Sequence, residues 1–321
     1  MSTTTETTPA APDQMDALRA RVRGMRSDAL PFATMAREAG IAPATFNLWL
    51  NGTYTGNNER VAEQVTRWLE NRGAAQLVRS GLPAEPAVVV TPTMRRIINL
   101  LSYAQSAPTM AVVSGGAGIG KTSAIEHYAQ TNPNVWVIVG QPACKSPNVM
   151  LADLAEVVGV AEKSSDRRSS AILRRLRGTS GLLILDEAHH YPTLVLEQVR
   201  HIFDQAKIGV AMLGNAGIYG RLEGEGRSEK HAPLFRRIGM KLTLPRTTQP
   251  DVSALLDAWG VDGAVERKLL GTVAAQPGAL GGMAGVLRMA HMLAAGSTVT
   301  ALHIREAHMR LREVPIAGDA P

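Results

Sequence analysis

The sequence predicts an α/β protein: a mostly parallel five-stranded sheet, with a small helix-turn-helix unit before it and a helical region after it. Three observations carry this. A β-rich run, Ala111 to Ser114, leads directly into a glycine-rich loop and then a helical pattern. Gly181 to Glu187, GLLILDE, has four apolar residues in succession, which suits a strand buried on both faces of a parallel sheet. Ile208 to Asn215, Val135 to Val139 and Met240 to Leu244 supply three further strands, and helical segments alternate with all five.

The 321 residues are 45% hydrophobic and 19% charged, which excludes wholesale disorder. Only 4% are aromatic, so the cores must rest on Ala, Val, Leu, Ile and Met. No apolar run approaches the roughly 18 residues of a bilayer span, and no membrane role is expected. The start, MSTTTETTPAAPDQ, lacks the basic and apolar regions of a signal peptide. One cysteine, Cys144, can form neither an internal disulfide nor a cysteine-rich zinc site, so a cytoplasmic protein is expected. The net charge of +6 is unevenly spread: residues 1–90 sum to 0, residues 91–248 to +7 and residues 249–321 to −1. A polyanionic partner would therefore meet the middle of the chain.

Residues 1–12 are rich in Thr, Pro and Ala and read as a disordered tail. Residues 13–72 form the helix-turn-helix unit. Within it, Ala36 allows close helix approach, Gly40 suits a turn with positive φ, and Ile41, Phe46 and Trp49 are the expected core of the second helix. That helix would present Thr45, Asn47 and Asn51, which can hydrogen-bond DNA bases or phosphates. A helix from Glu59 to Asn71 closes the unit. Residues 73–91, with Gly73, Gly81, Pro83 and Pro86, read as a linker.

Residues 92–248 hold the catalytic signals. Met110 to Thr122, MAVVSGGAGIGKT, carries the complete phosphate-binding loop between a strand and a helix. Backbone N–H groups of Gly115, Gly116, Ala117, Gly118, Ile119 and Gly120 would curl around phosphates, and Ser123 would sit at the helix start with its positive dipole. Lys121 would reach the β- and γ-phosphates of ATP, and the Thr122 hydroxyl would hold Mg²⁺. Asp186 would hold the same ion through water, and Glu187 would polarise the attacking water. Asn215, at the end of the next strand, would orient that water.

Asp186 to His189 also spells DEAH, but the chain is short for paired helicase motor domains. His189 and His190 are not expected to share a metal, since adjacent helical positions face apart. Lys163 to Arg177 carries six basic residues and one acid. Lys163, Arg167, Arg168, Arg174 and Arg175 are candidates for phosphate contact, with Lys145 nearby in the loop after the second strand. Residues 249–315 form a helical domain with apolar stripes at Val252, Leu255, Leu256 and Trp259, and at Ile304, Ala307 and Leu311. Residues 316–321 read as a frayed tail.

Taken in this order, GGAGIGKT, GLLILDEAHH and the N-terminal FNLWLNGTYTGNNERVAEQVTRWL resemble the AAA+ ATPases, and within them the Mu B-like transposon target-selection ATPases. The resemblance covers nearly the whole chain. It implies an AAA+ P-loop core with strand order 5-1-4-3-2 and a helical lid. It also implies a self-assembling filament or ring on double-stranded DNA, and a transposase as partner. In a phage or transposon setting the protein would work in the cytoplasm of a bacterial host. The family places an arginine finger at LFRRIG, where Arg236 and Arg237 remain open alternatives, acting on a neighbouring subunit's site. It places a second sensor at GGMAGVLR, where Arg288 would reach the nucleotide from the lid, and puts Lys145, Arg167 and Arg168 on the DNA backbone. A helicase-loader-like ATPase and an ATP-switched helix-turn-helix transcription regulator are the alternatives.

Overall fold

The structure, a computed structural model, describes residues 12–27, 30–80, 86, 88–218, 236–314 and 316. The predicted tail at 1–12 lies outside these except for Pro12, which opens the first helix. The chain divides into two compact units, residues 1–82 and 83–321.

The first unit is helical: α1 (Pro12–Gly24), α2 (Phe32–Glu38), α3 (Pro43–Leu50) and α4 (Asn58–Ser80). Val22, Met35, Phe46, Trp49 and Val65 are buried at its centre. Gly40 takes φ +68 between α2 and α3, and Ile41 N–H returns to the Ala36 carbonyl at 2.9 Å, so the turn is closed by its own backbone. Pro43 then begins α3 at a position where its missing N–H costs nothing. Of the predicted contact residues, Asn47 and Asn51 are exposed and Thr45 is half-buried. Helix α4 continues eight residues beyond the unit's predicted end at Arg72, so the first part of the predicted linker is helical. Gly73 costs about 1 kcal/mol against Ala in a helix, but Ala74, Ala75, Gln76 and Leu77 are good helix formers and propagation continues through it.

The second unit begins with α5 (Pro92–Ser106), whose start is capped by the Thr91 hydroxyl accepting from Met94 N–H. It continues through β1 (Met110–Gly115), α6 (Lys121–Thr131), β2 (Val135–Val139), α7 (Pro147–Val158), α8 (Ser165–Leu176), β3 (Leu182–Asp186), α9 (Thr193–Ala206), β4 (Gly209–Gly214) and β5 (Ile238–Leu244). The sheet order is β2-β3-β4-β1-β5, with every neighbouring pair parallel. This is the five-stranded parallel AAA+ order expected from the resemblance.

The two faces of the sheet follow the period of two along each strand. Met110 and Val112 join Leu183, Leu185 and Met212 against α7, α8 and α9. Ala111 and Val113 join Leu182, Ile184 and Leu213 against α5 and α6. The central strands β1, β3 and β4 are buried throughout, whereas the edge strand β5 alternates. Since β3, β4 and β1 are consecutive and parallel, the segments leaving their carboxyl ends converge, as in other open α/β sheets.

The C-terminal helices α10 (Gln249–Ala258), α11 (Ala264–Ala274), α12 (Ala279–Ala294) and α13 (Ala301–Arg312) share a separate core of Leu256, Trp259, Leu270, Met283, Leu287 and Ile304. Two expectations are corrected here. Leu311 is exposed, and the inner face of α13 is made by Ile304, Ala307 and His308, an i, i+3, i+4 set. Ile316 is buried in the lid core, so the tail assigned to 316–321 cannot begin before residue 317. Among the described residues no helix is long and apolar enough to cross a membrane.

Candidate functional site

The loop from Gly115 to Gly120 leaves the carboxyl end of β1 and enters α6 through Gly120, which has φ +94. Gly118 has φ +75 and its Cα faces the Gly278 carbonyl so closely that a Cβ there would overlap it. The start of α12 therefore rests on the loop, and Gly281 N–H donates to the Gly118 carbonyl at 3.2 Å.

Lys121 is buried, and its Nζ donates to the carbonyls of Gly115 at 3.1 Å and Gly116 at 2.8 Å. Burial lowers its pKa from the ordinary lysine value, opposed by the nearby Glu187 and Asp186 carboxylates. The Thr122 hydroxyl donates to Asp186 Oδ2 at 2.9 Å, and Asp186 Oδ1 accepts from Glu187 N–H at 2.8 Å. A hydroxyl beside a carboxylate is a hard-oxygen donor pair, chemistry that suits Mg²⁺.

Glu187 directly follows β3 with φ +47, and its carboxylate lies 3.2 Å from His189 Nδ1. Residues Ala188–His190 form one turn of 3₁₀ helix. Contrary to the sequence expectation, His189 and His190 do not face apart: their ring centroids are 4.1 Å from one another. Asn215 follows β4, between β3 and β1 in the sheet, and its Oδ1 accepts from Gly217 N–H at 2.9 Å.

A cleft of about 480 Å³ opens beside the loop and takes in Lys121, Thr122 and Glu187. Its polar half is Ala117, Gly118, Gly120, Lys121, Thr122, Ser123, Glu126 and Glu187, and its apolar half is Pro86, Val88, Val89, Met94, Leu255 and Leu280. The volume is that of a small-molecule pocket, roughly 300–1,000 Å³. Sequence reading missed the apolar half because Pro86, Val88 and Val89 fell in the predicted linker and Leu280 in the helical region assigned no contact with the loop. Asn215, Arg236, Arg237 and Arg288 do not line this cleft.

Arg288, the second-sensor candidate, does not line the cleft, and the residue of α12 that bonds the loop is Gly281. Arg288 lies seven residues on, about 10 Å along the helix.

Below the cleft, the fully buried Asp251 of α10 accepts from Thr93 N–H at 2.7 Å, the Thr93 hydroxyl at 2.7 Å and the Thr248 hydroxyl at 2.6 Å. It ties the lid to the start of α5. The Thr248-x-x-Asp251 capping box was readable from the sequence, but the bond to Thr93 spans 158 residues and was not.

Arg236 is exposed, whereas Arg237 pairs with Asp204 at 3.0 Å. Both precede β5, whose seven residues span roughly 20 Å at ~3.3 Å each. They stand at the opposite end of the strands from the cleft in their own chain.

On α8, Ile172, Leu173 and Leu176 face inward. Arg167, Arg168, Arg174 and Arg175 fall at i, i+1, i+7 and i+8 and so share one outer face. Arg167, Arg174, Arg175, Lys163 and Lys145 are exposed. Arg168 is half-buried and bonds the Glu162 and Lys163 carbonyls, holding the loop before α8.

Residues 236–311 match the family described as Mu B transposition protein, C terminal, and residues 104–222 match the AAA domain. The ATP-dependent target DNA activator B of Escherichia phage Mu is 36% identical over 299 residues, covering 92% of this chain and 95% of that protein. The chain belongs to the Mu B family of AAA ATPases. Another relative, the Mu-like prophage FluMu DNA transposition protein B of Haemophilus influenzae, is 34% identical over 72% of this chain and 80% of that one. The Aeropyrum pernix Orc1 protein shares the fold at a TM-score of 0.50 and 19% identity, covering 68% of this chain and 64% of its own, under two thirds.

Proposed function

We propose that this Mu B family ATPase assembles on double-stranded DNA when ATP is bound, presents that DNA to a transposase as its target, and releases it after hydrolysis. The observation that carries the catalytic half is the placement of Glu187 in the same cleft as Lys121 and Thr122, with Asp186 bonded to Thr122. The relatives' description as ATP-dependent target DNA activators supports the other half.

Lys121 exchanges its two loop carbonyls for the β- and γ-phosphate oxygens, while the loop's N–H groups take the rest of the triphosphate. The base and ribose lie against Val88, Val89, Met94 and Leu280. Thr122 and Asp186 hold Mg²⁺, which supplies charge neutralisation at the phosphate oxygens. Glu187 accepts the proton of the attacking water, and Asn215 orients that water. Arg236, exposed where Arg237 is held by Asp204, acts on the next subunit's γ-phosphate. In chains carrying Arg236→Ala mixed with chains carrying Lys121→Ala, a trans arginine predicts partial recovery of hydrolysis, because some interfaces join two intact halves. Hydrolysis per chain should rise above both pure variants, and no recovery would place Arg236 outside the interface.

The exposed cations of the core, Lys145, Lys163, Arg167, Arg174 and Arg175, contact the DNA backbone; Thr45, Asn47 and Asn51 give the first unit an auxiliary contact. The test is duplex binding against salt with ATP, ADP or no nucleotide. Binding should require ATP and fall steeply with salt. Lys121→Ala should abolish the ATP dependence, and ATP-dependent binding that survives this change would overturn the proposal. Replacing Arg174 and Arg175 together by Ala should shallow the slope of log affinity against log salt by about 2, since each phosphate left without its cation accounts for about 0.9. An unaltered slope would remove α8 from the DNA path.

A further inference from the structure

We propose that Glu187, His189 and His190 form a second cation site, selective for a soft divalent ion such as Zn²⁺, whose occupation withdraws Glu187 from hydrolysis. The inference rests on the reading of Glu187 as the base for its consequence, but the site itself stands on geometry. One ligand atom from each of the three side chains lies within 4.8 Å of the other two. His190 N–H donates to the Glu187 carbonyl at 3.0 Å, so the short turn Ala188–His190 closes directly onto Glu187. The left-handed backbone of Glu187 turns its carboxylate back along this turn, to 3.2 Å from His189 Nδ1. Strand β4 backs the cluster: a Cβ at Gly214 would sit 3.3 Å from both His189 N and Nδ1, so the imidazole lies flush on the strand.

Ligands at ~2.0–2.1 Å from a tetrahedral Zn²⁺ are about 3.4 Å apart, so closure requires movements of roughly 1 Å. All three side chains are half-buried, with freedom for that adjustment. Two imidazoles and one carboxylate leave a fourth position for water, a donor set suited to Zn²⁺. The neighbouring Thr122–Asp186 pair offers only oxygen and suits Mg²⁺. The two sites therefore differ in softness although they flank the same cleft. With its carboxylate bound to the soft ion, Glu187 cannot accept a proton from water, while Lys121, Thr122 and Asp186 keep their places. The result would be an ATP-loaded, non-hydrolysing protein.

The test uses the full chain without nucleotide, titrated with Co²⁺. One equivalent should bind and give the intense visible absorption of tetrahedral cobalt, and one equivalent of Zn²⁺ should displace it. His190→Ala and His190→Gln should each weaken Co²⁺ binding tenfold or more. In excess Mg²⁺ and ATP, one equivalent of Zn²⁺ should lower hydrolysis at least tenfold in the parent chain and less than twofold in either variant, each compared with its own zinc-free rate. The weak absorption of octahedral cobalt, non-saturable binding, or zinc inhibition as strong in both variants as in the parent would overturn the proposal. If Glu187 is not the base, the cobalt titration still succeeds while zinc leaves hydrolysis unchanged, so the two failures are distinguishable.

Discussion

Glu187→Gln is expected to lower ATP hydrolysis by about 10²–10⁴-fold while leaving ATP affinity within about threefold, the range general-base catalysis contributes. The substitution is nearly isosteric and keeps an oxygen at the end of β3, but the amide cannot take a proton. In the proposed arrangement the contacts that hold triphosphate come from elsewhere: the loop N–H groups, Lys121, and the Thr122–Asp186 pair, bonded at 2.9 Å. Binding and chemistry should therefore separate. The variant should load ATP, coat duplex DNA and stay there, because in the proposed assembly loss of the γ-phosphate removes the anionic partner of a neighbouring subunit's arginine. Lys121→Ala should behave differently, losing affinity and DNA coating together. Single-turnover hydrolysis and the lifetime of the DNA complex after ATP is withdrawn check both. A Glu187→Gln chain that hydrolyses at more than a tenth of the parent rate would remove this carboxylate from the role of base.

The difference between what the sequence made legible and what it hid follows from how far apart the interacting residues lie. Gly115 to Thr122 is a local unit: strand, loop and helix start are adjacent, and Gly118 and Gly120 take the positive φ values that the pattern demands. The acidic pair is equally local, since Asp186 closes the buried run of β3 and Glu187 follows it directly. The lid defeated the same approach. Arg288 was placed at the nucleotide by the resemblance of GGMAGVLR to the family's second sensor, but which turn of α12 meets the loop depends on the Gly118–Gly278 approach, a contact between segments about half the chain apart. Val88 and Val89 looked like linker because two residues carry no period, and only the folded cleft gives them a face. His189 and His190 were misjudged because backbone phase was read as ring position: adjacent residues of a 3₁₀ turn start about 120° apart, yet their rings meet at 4.1 Å. Helix α4 ran past Gly73 because one unfavourable residue does not stop a cooperative helix.

Asp251 is where a hidden contact should have the second large effect. Its carboxylate accepts from two threonine hydroxyls and from the N–H groups of Thr93 and Thr248, with no exposed surface. Burial by itself would raise its pKa, but the hydrogen bonds from Thr248 and Thr93 outweigh this and hold it below the ordinary aspartate value. Because the folded chain binds this proton less readily than the unfolded chain, the carboxylate's contribution is complete above the unfolded pKa near 3.8. It is lost as pH falls through the lower folded value. Asp251→Ala deletes the capping box, worth about 1 kcal/mol, and leaves the buried Thr93 N–H and hydroxyl without this acceptor, at roughly 1–3 kcal/mol. A drop of about 2–4 kcal/mol in the denaturant unfolding of residues 83–321 is expected at pH 7. Asp251→Asn should be milder at neutral pH and should flatten the acid limb of stability below about pH 4. Since α5 begins next to Thr91 and α10 carries Leu255, both beside the cleft, Asp251→Ala should also weaken ATP binding although Asp251 touches no part of the site. A variant of unchanged stability would mean that the lid is held to α5 by its apolar contacts alone.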